Sequence, residues 1–453
     1  MSKSKEYSSF RDPAGFIFEK DGELYRQINY NYQDDYDFFL QSGLYRDLAA
    51  KKYIIPFEEI KQEQKDFYRI IKPQKIDFIS YPYEWCFSQY KDAALLTLKI
   101  QKEALLKGMT LKDASAYNIQ FLDNNPIHID TLSFEKLVPQ SPWRAYMQFC
   151  QHFLAPLALM SYVDPNLNNM MRNYIDGIPL SLASKLLPKL KNWGIGVHIH
   201  LNALFSDKNK STIKSQDTIR NMNLQKHLIL IDSLYHTIEN LKLPNKETEW
   251  EKYYENTNYG EDAFKAKEDV ILNIISEMPK NFVFWDLGAN DGHFTRLVTK
   301  CGFKGISFDI DVNAVEKNYR QCKKFKEAYP FPLILDLTNP SPGIGWNNNE
   351  RPALFHRAKP DVIMGLALIH HLVISNNIPF EYVANAFSQL APELIIEFVA
   401  KEDSQVQKIL STRKDIWSHY TEKDFETEFL KHYSSFERYP IPNTKRVIYF
   451  FKK

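Results

Sequence analysis

The rhythm of apolar and polar positions changes once along this chain. Up to about residue 240 apolar side chains recur mostly at helical spacing; from 281 onward short apolar runs alternate with helical stretches. Residues 14–30 (GFIFEKDGELYRQINYN) alternate and turn at Asp21-Gly22, which predicts a β-hairpin. Helical patterns are expected from about 36 to 107. The run IQFLDNNPIHID (119–130) predicts a second hairpin. Residues 143–205 read as mostly helical, the polar stretch 206–218 as a loop, and 223–241 as a helix. Leu243-Pro244-Asn245 then interrupts the pattern. The expected organisation is a flexible tail over 1–9, a mainly helical α+β domain over 10–240, and a further domain over 241–453.

In that last stretch the expected strands are 281–287, 303–310, 331–337, 361–367 and 393–399, with helices over 293–300, 313–327 and 379–390. Strand–helix alternation of this length predicts an α/β fold, a parallel doubly wound sheet. Two further strands near 435–440 and 445–451 would extend it to seven strands with an antiparallel edge.

Composition narrows the classes. Lysine plus arginine (57) balances aspartate plus glutamate (56), leaving no electrostatic footprint for nucleic acid or an anionic membrane. The four cysteines form no C-x-x-C pair, so neither a zinc site nor a disulfide framework is expected. The N-terminal MSKSKEYSSF lacks an apolar signal core, and no apolar run is long enough to span a bilayer. A cytoplasmic protein is the expectation. Oligomeric state is not readable. Glycine is scarce, at 15 residues, and crowds between Gly288 and Gly365.

That crowding falls at strand ends, where open α/β sheets bind ligands. The first end is Asp286-Leu287-Gly288-Ala289-Asn290-Asp291-Gly292, a short glycine turn before a helix. A nicotinamide loop needs G-x-G-x-x-G, and Asn290 and His293 stand where its later glycines would be. The second is Phe308-Asp309-Ile310-Asp311, where Asp309 can accept from both ribose hydroxyls of an adenosyl cofactor; Asp311 also reads as a helix cap. The third ends in Asp336, able to accept from an adenine amino group. The fourth, LALIHHL (366–372), carries His370 and His371, candidate general bases near neutral pH.

DLGANDG, SFDID, LILDL and PDVIMGLALIHHL, in that order and spacing, resemble the class I S-adenosylmethionine-dependent methyltransferases over about 281–453. The resemblance implies a Rossmann-like seven-stranded sheet with S-adenosyl-L-methionine as cofactor. It implies that Gly288 and Gly292 cradle the methionine moiety, with Asn290 in the same cofactor-binding loop and Asp286 near the ammonium group. Asp309 would hold the ribose and Asp336 the adenine. Such loops often carry glycine where this chain has Asn290. The stretch Trp250, Tyr253, Tyr254, Tyr259 and Lys267 resembles the lead-in helix that caps the cofactor in related enzymes. The whole chain resembles a bacterial group described as nodulation-related methyltransferases. The reaction implied is in-line methyl transfer to an O or N atom of a small-molecule or glycan acceptor, with His370 or His371 as base where the acceptor must lose a proton early.

A second pattern, D-x4-N-x11-D, runs through Asp113, Asn118 and Asp130. It resembles the catalytic hairpin of kinase-like and aminoglycoside phosphotransferase-like folds, with Tyr81-Pro82-Tyr83 as hinge, and implies a nucleotide and magnesium site. Leu111 stands where kinases have histidine, Thr131-Leu132 follow the last aspartate in place of Phe-Gly, and the strand LYRQIN carries Arg26 but no lysine. Three functions stay open: a methyltransferase whose N-terminal domain selects the acceptor, a bifunctional or kinase-like ATP-binding enzyme, and a non-catalytic binding protein with a retired cofactor pocket.

Overall fold

The computed structural model describes residues 4–60, 66–188, 194–206, 222–244, 261–412 and 414–453. The chain divides into two compact units, Met1–Asn245 with Pro342–Ala353, and Lys246–Ser341 with Leu354–Lys453.

The first unit opens with a five-stranded antiparallel sheet made of β1 (Ser4–Lys5), β2 (Gly15–Lys20), β3 (Glu23–Ile28), β4 (Phe57–Ile60) and β5 (Arg69–Pro73), in the order β1-β2-β3-β5-β4. The expected hairpin is β2–β3, turning at Asp21 and Gly22, both in the left-handed region. The flexible tail is corrected in part. Ser4 and Lys5 pair with Glu19 and Phe18 as an edge strand. Edge pairing needs only backbone groups, so a polar segment carries no apolar signal for it. Within the stretch 36–107, where helical patterns dominate the sequence, the strands β4 and β5 also lie. Ile70 packs with Phe18 and Phe67, while Ile71 packs with Tyr32 and Tyr36. With both faces of β5 covered, its apolar residues run consecutively rather than alternating.

Beyond the sheet stands the helix Phe87–Leu106, whose N-terminal Cys86 amide donates to Gln89 Oε1 at 2.9 Å. Ala93, Ala94, Leu98 and Ile100 are fully buried along it. Two short ribbons follow: β6 (Met109–Leu111) pairs with β9 (Phe134–Lys136), and β7 (Ile119–Leu122) with β8 (Asn125–His128). The latter is the expected second hairpin. Residues 342–353 belong to this unit although the chain around them belongs to the other. Arg11 forks onto the buried Glu350 at 2.7 and 2.8 Å, and the Arg351 guanidinium lies 4.7 Å from the Tyr117 ring centre.

The second unit is a Rossmann-like doubly wound sheet. Its strands are β10 (Val283–Leu287), β11 (Lys304–Asp309), β12 (Phe331–Ile334), β13 (Val362–Gly365), β14 (Glu393–Val399), β15 (Ser435–Pro440) and β16 (Arg446–Lys452). Their order is β12-β11-β10-β13-β14-β16-β15; the first five are parallel, and β16 runs antiparallel to both neighbours. Helices Glu261–Ser276 and His293–Lys300 set Ile271, Ile275, Phe294 and Val298 against Phe284 and Met364. Phe398, Tyr420 and Phe425 pack with Phe380 beside β14. Apolar cover explains strands such as VIMG that are buried at every position. The order reverses between β10 and β13, so their carboxyl ends flank the crevice where such sheets take ligands. No helix among the described residues is long and apolar enough to cross a membrane.

Candidate cofactor-binding and catalytic site

At the end of β10 the chain turns sharply. The amides of Gly288 and Ala289 both donate to Phe308 O at 2.9 Å, tying the loop to β11. Gly292 has φ +78°, and a Cβ there would lie 2.2 Å from Asn318 Nδ2. Only glycine meets both demands. Asn318 is itself fixed: its amide donates to Ser307 Oγ at 2.9 Å, and its oxygen accepts from Arg296 at 2.8 Å. Arg296 Nε also donates to both oxygens of Glu327, at 2.8 and 3.1 Å. The loop therefore rests on a buried polar network. Asn290 has φ +51°, a conformation asparagine tolerates better than most residues, so it stands in for glycine.

Three predicted carboxylates converge here. Asp286 is buried and accepts from Thr295 Oγ1 at 2.6 Å. Burial, reinforced by the charge of Asp309, pushes its pKa up to about 7 despite that hydrogen bond. Asp309 accepts from the amides of Asn290 at 2.6 Å and Asp311 at 2.8 Å, one on each oxygen. Burial still pushes its pKa up to about 6. Asp311 is a helix cap, accepting from Asn313 N and Ala314 N. Asp336 accepts from the amide and hydroxyl of Thr338 at 2.8 and 2.7 Å.

Asp286, Asp309 and Asp336 line one cavity of about 350 Å³, together with Gly288, Asn290 and His371. Its size is that of a small-molecule site. Gly292 does not line it and shapes the loop from behind. Tyr259, Trp250, Tyr253 and Tyr254 lie outside the described residues, whereas Lys267 is buried in the cavity wall.

The two histidines part company. His371 lines the cavity; His370 is fully buried behind it, with neither ring nitrogen hydrogen-bonded. Their ring centres are 4.1 Å apart. Burial, with His371, Arg446 and Lys267 nearby, drives the His370 pKa far down, so its ring is neutral. That packing corrects the expectation of His370 as a base: it does not touch the cavity.

Several residues of this site escape sequence reasoning. Thr295, Arg296 and Asn318 read as ordinary polar positions of two amphipathic helices. Glu397, which pairs with the cavity-lining Lys267 at 2.7 Å, left a signal, as an acid within the apolar strand ELIIEFV, where a charge must be paired.

The N-terminal set is differently engaged. Asp130 is ion-paired with Arg26 and accepts from the Ser133 hydroxyl and, at 3.2 Å, from Leu132 N. Burial would raise its pKa, but Arg26 and Ser133 outweigh that and hold it far below the carboxylate range. Asn118 donates to Ser133 Oγ at 3.2 Å. Asp113 accepts from Ser115 N at 2.9 Å and Gln148 Nε2 at 2.7 Å. Thus Arg26 supplies positive charge where the magnesium reading needs an open carboxylate face. No cluster of three or more His, Cys, Asp or Glu suited to a metal exists among the described residues. Tyr81, Pro82 and Tyr83, the expected hinge, are buried.

No family model matches the chain. Among solved structures it is similar to magnesium protoporphyrin IX methyltransferase (ChlM) from Synechocystis PCC 6803 with bound SAH, at 15% identity and TM-score 0.31, over 45% of this chain and 92% of that one. It is also similar to WbdD, at 14% identity and TM-score 0.28, over 42% of this chain and 39% of that one. Both likenesses are partial. Along nearly its whole length, by contrast, the chain is 31% identical over 459 residues to nodulation protein NoeA of Rhizobium meliloti (strain 1021), covering 98% of this chain and 95% of that protein. The chain belongs to the family of nodulation protein NoeA.

Proposed function

We propose that this protein transfers a methyl group from S-adenosyl-L-methionine to an O or N atom of a small-molecule or glycan acceptor. The observation that carries the reading is the convergence of Asp286, Asp309 and Asp336, from three successive strand ends, on the cavity beside the Gly288–Gly292 turn. The residues fit the cofactor. Asp309 is held by backbone amides on both oxygens and keeps acceptor capacity for a vicinal diol. Asp286 places a carboxylate suited to an ammonium group, and Asp336 one suited to an amino-purine edge. Lys267 supplies a cation for a carboxylate.

The bound cofactor supplies a methyl group already activated on a sulfonium. What remains for the protein is mostly proximity and orientation. The loop amides and the three acids would hold the donor in one pose. His371, in the cavity wall, is the residue placed to take a proton from an acceptor that must lose one early. The N-terminal unit would select the acceptor; the Arg26–Asp130 pair speaks for recognition there rather than magnesium-dependent phosphotransfer.

The test is calorimetric binding of S-adenosylmethionine and S-adenosylhomocysteine to the protein and to Asp309→Ala. Hydrogen bonds to a charged group contribute about 1.5–3 kcal/mol, so the variant is expected to bind about 10–150-fold more weakly. Absent or unchanged binding removes the reading.

A further inference from the structure

Glu397 sits on β14 with its side chain 0% exposed. A carboxylate there is costly unless it is paired and hydrogen-bonded. Its partners come from three elements. Lys267, on helix Glu261–Ser276, brings Nζ to 2.7 Å from Oε2. The backbone N–H of Ala367, just past β13, donates to the same oxygen at 2.7 Å. Arg446, at the start of β16, lies 3.7 Å from Oε1 and forks onto Asp403 at 2.7 and 3.1 Å. Two cations and two anions thus form a buried chain.

Two of these partners reach the cavity and the hub does not. Lys267 and Ala367 line the cavity; Glu397 stands outside it. Lys267 is the one lysine or arginine lining it among the described residues. Burial brings the pKa of its ammonium below the usual lysine value, and the Glu397 carboxylate opposes that fall. Its Nζ also lies 4.9 Å from the centre of the Phe294 ring, which fixes its direction further. Ala367 has φ +51°, where a Cβ costs about 1–2 kcal/mol. The hydrogen bond to Glu397 holds the backbone in that conformation, immediately before the segment that carries His371.

We propose that Glu397 is a positioning residue of this cavity, acting through Lys267 and the Ala367 turn to set a charged group and a strained backbone in its wall. The role rests on reading the cavity as the S-adenosylmethionine site. A cation held there favours a ligand that carries a carboxylate. Binding should therefore discriminate S-adenosylhomocysteine from its decarboxylated form, and Glu397 should control that discrimination without touching the ligand.

The experiment measures calorimetric affinity for both compounds in the unsubstituted protein, Glu397→Gln, Lys267→Met and the double variant. Glu397→Gln is expected to weaken S-adenosylhomocysteine binding about tenfold or more and to shrink the preference over the decarboxylated form. Lys267→Met should do the same, and the double variant should be no weaker than Lys267→Met alone, because the two act as one unit. Unchanged affinity in Glu397→Gln, equal weakening of both compounds, or losses that add in the double variant would overturn the proposal while leaving the cofactor reading intact. If Glu397→Gln does not fold, Lys267→Met carries the test, and an unchanged preference there overturns the proposal. Failure of the unsubstituted protein to bind either compound overturns both.

Discussion

Asn290 donates its backbone N–H to Asp309 Oδ2 at 2.6 Å while holding φ +51°. The residue is therefore a turn former and a donor to the proposed ribose acid at once. Asn290→Gly keeps both features and should bind the cofactor as the unsubstituted protein does. Asn290→Ala keeps the donor but adds left-handed strain of about 1 kcal/mol. Denaturant unfolding should register that loss, and calorimetry should show weaker binding than Asn290→Gly.

The raised carboxyls predict a pH dependence with a definite sign. Asp286 and Asp309 titrate in the fold at about 7 and about 6, above the ordinary carboxyl value near 3.8. Their contribution to stability is fully present below pH 4 and is lost as pH rises through 6 and 7. For Asp286 the loss is on the order of 4 kcal/mol in the unliganded protein. Asp286→Asn should flatten that part of the stability profile relative to the unsubstituted protein. Cofactor binding should run the opposite way. A ligand bearing an ammonium and a sulfonium prefers the ionised acids, so affinity should climb between pH 5 and 8 and climb less in Asp286→Asn.

The parallel sheet was legible because its strands are short apolar runs ending in Asp286, Asp309, Asp336 and the Leu366–Leu372 segment. Each of those acids is a polar residue at the end of an apolar strand, and such contrast survives in one dimension. The five-stranded sheet of the first unit was half legible. Its hairpin carries alternation and an Asp-Gly turn, but β5 buries Ile70 and Ile71 on opposite faces, and β1 pairs through backbone alone. Nothing in HH at 370–371 tells which ring faces the cavity; that depends on the turn set by Ala367. Residues 342–353 join the first unit through pairs far apart in sequence, such as Arg11 with Glu350 and Arg351 with Tyr117.

Gly292 offers a sharper test of the loop. A side chain there meets Asn318 Nδ2 at 2.2 Å, and Asn318 is tied to Ser307 and Arg296. Gly292→Ala should cost about 2 kcal/mol or more by clash and strain together. Pairing it with Asn318→Ala should recover only part of this, since φ +78° remains unfavourable for alanine. A full recovery in denaturant melts would mean that the clash alone requires glycine.

The Arg26–Asp130 pair decides between two uses of the first unit. Both side chains are largely buried, at 11% and 15% exposure. Removing one partner of such a pair leaves an uncompensated charge, so Arg26→Ala should destabilise the protein by about 3 kcal/mol. Because the fold holds Asp130 below its unfolded pKa, the pair's contribution is present at neutral pH and is lost as pH falls below about 4. The loss in Arg26→Ala should therefore be large at pH 7 and shrink on acidification. With Arg26 in place, magnesium and ATP together should not raise the melting temperature. A magnesium-dependent rise that disappears in Asp130→Ala would show that the ion displaces Arg26, and would restore a nucleotide-binding role to Asp113, Asn118 and Asp130.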